Sequence, residues 1–395
     1  MPSDTPFLLS KIECPICKTI NEFEVIKMGA YTEGGRDTDF CPTGIEWRFP
    51  RYQAYNPLVF FTGTCSNCYY TRELNNDFKE WKNDVNFKTY RLKTIKEKHL
   101  ESLSTADSVI KQFGEMVDLS QYPNESAIIK MHLAIFDELL ADKPTSLDLG
   151  RFYLRIAWVY REMENGDVNP GRTFVAGLID EIYNKYSTVF TSVETVGTDI
   201  NSFASTVASH FTAEQLSAET QSRMLSYRDR FDEHVAGIRL SAETVMNGLE
   251  GLKKLLDDYR TDIQGEEGAG GGFQFGRYPS FKDFLMSLAR KWNGVVINEH
   301  EALKKAAEWY SDAFSSGRDI SPGNQQIQVS YLIAELSRRV GDYERAKQYF
   351  SSTIKSGQEF IYQHRNDRSR TVLARKIMEL AIEQGRANLA ALRPA

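Results

Sequence analysis

Four of the five cysteines in this 395-residue chain fall in two CxxC pairs near its start, Cys14-Pro15-Ile16-Cys17 and Cys65-Ser66-Asn67-Cys68. Two thiolates spaced this way reach one ion from a single tight turn. Two such turns complete the tetrahedral four-sulfur shell that Zn²⁺ prefers. The spacing therefore demands that two distant segments meet, each presenting a turn from short strands. Phe23-Glu24-Val25-Ile26 reads as a strand after the first pair, and Leu58 to Thr64 as a β-prone run delivering the second. Gly34-Gly35 marks a turn. The expectation is a small β module over 1–77, like a zinc ribbon, with structural zinc on Cys14, Cys17, Cys65 and Cys68. A closed four-thiolate shell leaves no position for substrate, which argues against catalytic zinc.

The gap between the pairs exceeds the roughly 15–20 residues of a compact ribbon. The excess must form a loop or an extra hairpin, and Arg36-Asp37-Thr38-Asp39-Phe40-Cys41-Pro42 lies in it. Cys41 reads as a small buried hydrophobe, with a role as substitute ligand left open. Asp37 and Asp39 read first as Asx turns that satisfy loop N–H groups; binding a cation or assisting a reaction is the sharper alternative.

Composition sets outer bounds. A hydrophobic share of 41 % supplies real cores, which argues against wholesale disorder. A net charge of −6 argues against a dedicated nucleic-acid binder. No apolar run is long enough for a membrane span, and the first residues show no secretory signal. Clustered CxxC pairs without such a signal fit metal ligands in a reducing compartment, with the cytoplasm as the expected location.

From about Phe78 the chain reads as helix. Ile128, Ile129, Leu133, Ile135, Phe136, Leu139 and Leu140 follow amphipathic spacing, as do Phe152, Tyr153, Ile156, Ala157, Val159 and Tyr160. Tyr331 to Phe350 is more specific: a helix ends at Gly341-Asp342, and a second places Ala346 and Phe350 inward. That is close to the tetratricopeptide pattern of small and large residues at helix crossings. Leu154 to Tyr160 and Glu301 to Tyr310 resemble the first and second helices of another such pair.

Between these halves, Ile182, Tyr186, Val189, Val193, Val196, Ile200, Phe203, Val207 and Phe211 step by threes and fours. So do Phe231, Val235, Ile238, Ala242, Val245, Leu249, Leu252, Leu256 and Tyr259. This is a coiled-coil seam. One helix from Phe174 to Tyr259 would span roughly 130 Å and separate segments that look like partners. A hairpin turning near Phe211-Thr212, where Thr212 to Gln215 fits a capping box, keeps them together. Gln264 to Gly272 reads as a glycine-rich linker. The fold class expected is mainly α: tetratricopeptide-like helical repeats with a long coiled-coil hairpin insertion and the small β module. The divisions are 1–77, 78–165, 166–264 (hairpin), 265–280 (linker) and 281–395.

Cys14 to Cys17, Arg36 to Phe40, Tyr55-Asn56-Pro57-Leu58, Cys65 to Tyr69, Leu154 to Glu162, Tyr331 to Phe350 and Asp367 to Thr371 resemble a bacterial family, domain of unknown function 2225. The likeness covers about 10–165 and 300–385, with 165–300 as a departure. The resemblance implies metal-binding cysteines and a helical protein-interaction body, and no catalytic activity. The expectation is a non-enzymatic scaffold or adaptor that binds a protein partner and self-associates through the coiled coil. A zinc-ribbon regulator on nucleic acid, touching it through the basic run His364 to Lys376, is the alternative. No hydrolase triad, zinc-protease, Walker or dinucleotide fingerprint occurs. Any activity would lie near Asp37 and Asp39.

Overall fold

The computed structural model describes residues 5–53, 55–165, 170–210, 217–267 and 275–392. The N-terminal part is built from three two-stranded antiparallel ribbons. β1 (Phe7–Glu13) pairs with β2 (Ile20–Ile26), β3 (Tyr31–Arg36) with β4 (Pro42–Trp47), and β5 (Thr62–Thr64) with β6 (Thr71–Glu73). The first and third ribbons carry the CxxC turns, and the second is the extra hairpin that the long gap requires.

Two local expectations are corrected. Gly34-Gly35 is not the turn; both lie inside β3, and the chain turns at Asp37 to Cys41. A Cβ on Gly34 would sit 3.3 Å from the Gly44 carbonyl oxygen, so glycine is needed there for close approach of the strands. The run Leu58 to Thr64 is strand only in its last three residues. Pro57 opens a 3-10 turn over Pro57–Phe60, and the Asn56 side chain caps it by accepting from the Leu58 N–H at 2.8 Å.

Regular α-helix begins at α1 (Leu92–Ser104), later than Phe78; two single π-helical turns, Leu74–Phe78 and Phe87–Arg91, precede it. Then come α2 (Val109–Gly114), α3 (Pro123–Leu139), α4 (Ser146–Asn165), α5 (Pro170–His210), α6 (Ala218–Glu267), α7 (Phe281–Ala289), α8 (Glu299–Ser316), α9 (Asn324–Arg339), α10 (Tyr343–Gln363) and α11 (Arg368–Ala391). The protein is thus mainly helical, with small sheets.

The chain divides into two units, 1–48 with 55–170 and 272–395, and 49–54 with 171–271. In the first, α3, α4, α8, α9, α10 and α11 pack successively. α4 and α8 run antiparallel: Gly150 abuts the Tyr310 ring at one end, and Arg161 meets Glu299 at the other. α9 ends at Gly341, whose φ of 83° is left-handed and favours glycine, and Asp342 caps α10 by accepting from the Arg345 N–H. Ala346 and Phe350 then bury against Tyr331 and Ala334, as the spacing predicted.

In the second unit, Glu194 pairs with Arg239 and Asp180 with Lys253, so α5 and α6 run antiparallel. A single continuous helix is excluded. At 41 and 50 residues they are about 60 and 75 Å long. Arg51 joins them through Glu181 at 3.2 Å. Gly177 permits this: a Cβ there would lie 2.5 Å from the Arg51 backbone. The turn near Phe211, the capping box at Thr212 and most of the glycine-rich stretch lie outside the described residues. Gln264 to Glu267, read as linker, continue α6.

Candidate metal centre and aspartate cluster

The two CxxC turns are built alike. The Cys14 N–H donates to the Thr19 carbonyl, and the Lys18 N–H returns to the Cys14 carbonyl. In the second turn, Cys65 N–H meets Tyr70 O, and Tyr69 N–H meets Cys65 O. Closing each turn drives the residue after the second cysteine left-handed, Lys18 at φ 65° and Tyr69 at φ 64°. Non-glycine residues rarely adopt that conformation.

Both turns aim their sulfurs at one point. The donor atoms of Cys14, Cys17, Cys65 and Cys68 all lie within 4.8 Å of one another. Cross-turn separations are 3.7 Å for Cys14–Cys68 and 3.5 Å for Cys17–Cys65. Tetrahedral zinc with Zn–S bonds of about 2.3 Å needs sulfurs about 3.8 Å apart, so these residues fit the ion. Hydrogen bonds from Cys14 and Cys68 hold Cys65 well below the usual thiol range, and the bond to Cys65 helps push Cys14 up to about 12. All four can be thiolates together only where a cation balances their charge. Cys41 is not in this group; its Sγ contacts the Pro42 carbonyl in the β3–β4 turn.

Polar residues around the sulfurs fix the turns. Buried Asn21 on β2 donates to the Cys65 Sγ at 3.5 Å and to the Thr19 carbonyl, and its Oδ1 accepts from the Ser66 N–H at 2.9 Å. One side chain thereby ties both turns together. Behind the second turn, His99 on α1 lies 2.9 Å from the Cys68 carbonyl through Nε2 and 2.6 Å from Asp137 through Nδ1. Asp137 also accepts from the Thr71 N–H. Burial opposes charge on His99, but the Asp137 carboxylate outweighs it and raises the imidazole pKa. Both ring nitrogens face oxygen acceptors, which is the geometry of an imidazolium. Sequence reasoning passed over His99 and Asp137; with one on α1 and the other on α3, no local spacing links them.

The Asp37 to Cys41 turn forms a second polar cluster between α4 and α9. Arg161 on α4 reaches Asp37 at 3.0 Å, Asp39 at 2.7 Å and Glu299 at 2.6 Å. Arg339 on α9 reaches Asp37 at 2.8 Å and Glu335 at 2.9 Å. Trp158 Nε1 donates to Asp39, and the Tyr331 hydroxyl donates to the Thr38 carbonyl. Asp39 also accepts from the Cys41 N–H, which is the Asx turn expected there. Burial works against the Asp37 charge, but the Thr38 N–H and the Arg339 guanidinium hold its carboxyl below the ordinary range. Asp39 and Glu335 are fully buried. Both Asp39 oxygens are engaged, which places this side chain to lock the turn onto α4. Beside it, burial first and then the Asp39 charge push the Cys41 thiol up to about 12, a protonated and inert side chain.

A four-cysteine β module locked onto a stack of antiparallel helices is the class these features define. The chain belongs to the family described as an uncharacterised protein conserved in bacteria, DUF2225, whose model matches residues 8–232 and 291–373. The matched stretch takes in α5 and the start of α6, so the part outside the family pattern is 233–290 rather than the whole of 165–300. None of the curated proteins and none of the solved structures matches the chain. No helix among the described residues is long and apolar enough to cross a membrane.

Proposed function

We propose that this protein is a non-enzymatic cytoplasmic adaptor, in which a structural zinc ion folds the β module and the helices bind a protein partner. The observation that carries this reading is the Asp37 to Cys41 turn. Its charged groups are spent on Arg161 and Arg339, so the residues best suited to chemistry hold the module against the helices instead. The packing of α9 on α10 and of α10 on α11 supports the reading, because stacked helix pairs present extended binding faces. Tyr362 on α10 and Leu373 on α11 are exposed apolar residues available to a partner.

The test is capture of partners by the full-length chain in its host under mild crosslinking, beside a Tyr362→Ala/Leu373→Ser chain. One protein enriched reproducibly by the first and lost by the second supports the adaptor. Retention of nucleic acid alone, weakening steeply with salt, overturns it in favour of the regulator.

A further inference from the structure

The two long helices bury one seam and leave a second one open. Glu194–Arg239 and Asp180–Lys253 fix the antiparallel register, and Gly197 lies against Val235 in agreement with it. In that register Phe203 falls level with Phe231, and Val196 with Ile238. Val189 and Ile182 fall level with Val245 and Leu252. These eight residues repeat every seven positions on both helices, so they form one four-layer apolar face.

That face is open. Phe203 is 70 % exposed, Val189 and Leu252 52 %, Val196 50 % and Ile238 49 %, while Ile182, Phe231 and Val245 are half-buried; in the row that packs inward Ala242 is 5 % exposed and Tyr186 39 %. The flank on the other side of the inward row is covered by charge: Arg239 binds Glu194 and lies over the Phe190 ring, and Lys253 binds Asp180. In the bordering rows Ser192, Ser241 and Gly248 are small and let another pair of helices approach at the middle layers, with Lys185, Asp199 and His234 toward the ends.

We propose that this face takes the same face of a second copy, giving a four-helix bundle at the dimer interface. An antiparallel pair related by a local two-fold presents matching rows in both directions, so the surface is complementary to itself. Four layers are about 32 Å long and two helices about 20 Å wide. The pairing therefore buries on the order of 1,200 Å² in total, at the lower edge of stable interfaces. None of the eight is charged; Lys185, Asp199 and His234 border them at the rim. The inference does not depend on the adaptor reading: a dimer with no other partner would uphold one and refute the other.

Sedimentation velocity of the full-length chain across a concentration series tests it. The expected result is a dimer with Kd of about 1 μM or tighter, with Val196→Glu/Ile238→Glu monomeric at unchanged helicity and Lys254→Glu, away from the face, still dimeric. If the glutamate pair loses helix, Val196→Ser/Ile238→Ser decides, and at least about a tenfold rise in Kd is expected. A monomeric wild type, a dimer indifferent to both pairs of substitutions, or a monomer that instead binds anionic lipid vesicles overturns the proposal.

Discussion

Asp39 carries more of the architecture than its place in a loop implies. It is fully buried against Arg161 and Trp158. Removing it leaves the Trp158 Nε1–H without its acceptor and takes from Arg161 one of three carboxylates, Asp37 and Glu299 remaining. Asp39→Ala is expected to lower stability by about 1–3 kcal/mol in urea denaturation, and Asp37→Asn by clearly less, since Asp37 is partly exposed. His132 on α3 makes a pH prediction. Its Nδ1 meets the Ile128 carbonyl at 2.9 Å, and its Nε2 accepts from the Val296 N–H at 3.1 Å. Only the neutral ring satisfies both, and burial lowers its pKa from 6.5 to about 4. Stability from this group is therefore complete above about pH 6.5 and falls by up to about 3 kcal/mol as pH drops to 4. Urea midpoints from pH 7 to 4 should fall less steeply for His132→Asn than for wild type.

Element packing explains why the second CxxC turn depends on a helix outside the β module. A Cβ on Gly114, the last residue of α2, would lie 2.1 Å from the Tyr69 ring. Tyr69 is the left-handed residue that closes that turn, so it has no easy way to retreat. Gly114→Ala is expected to cost about 2 kcal/mol by thermal denaturation and to weaken metal retention, whereas Gly341→Ala, with open space around it, costs only its backbone strain and leaves metal retention unchanged. At this scale the sequence was legible where periodicity is local. The helices at Ile128 and Tyr331 and the inward Ala346 and Phe350 follow from spacing alone. Leu58 to Phe60 misled because a β-prone composition was overruled by Pro57 and the Asn56 cap.

For the whole molecule, the β module is three two-stranded ribbons, and such ribbons are marginal alone. Its buried cluster includes Cys14, Cys65 and Cys68 beside Ile16, Tyr70 and Phe78, so ligands and core are one structure. Metal removal by a chelator is expected to abolish the near-ultraviolet dichroism of Tyr70 and Trp81 while most far-ultraviolet helical signal persists. Elemental analysis should find one zinc per chain, lost in Cys65→Ser. The sequence by itself determined the two CxxC turns, the amphipathic helices and the heptad rows, because each is a spacing between near neighbours. Only the tertiary structure decided that Asp37 and Asp39 meet Arg161 and Arg339, that His99 meets Asp137, and which side of the α5–α6 pair stays open. Those outcomes depend on which helices come together, and a charge carries no record in its own neighbourhood of the partner that packing will bring to it.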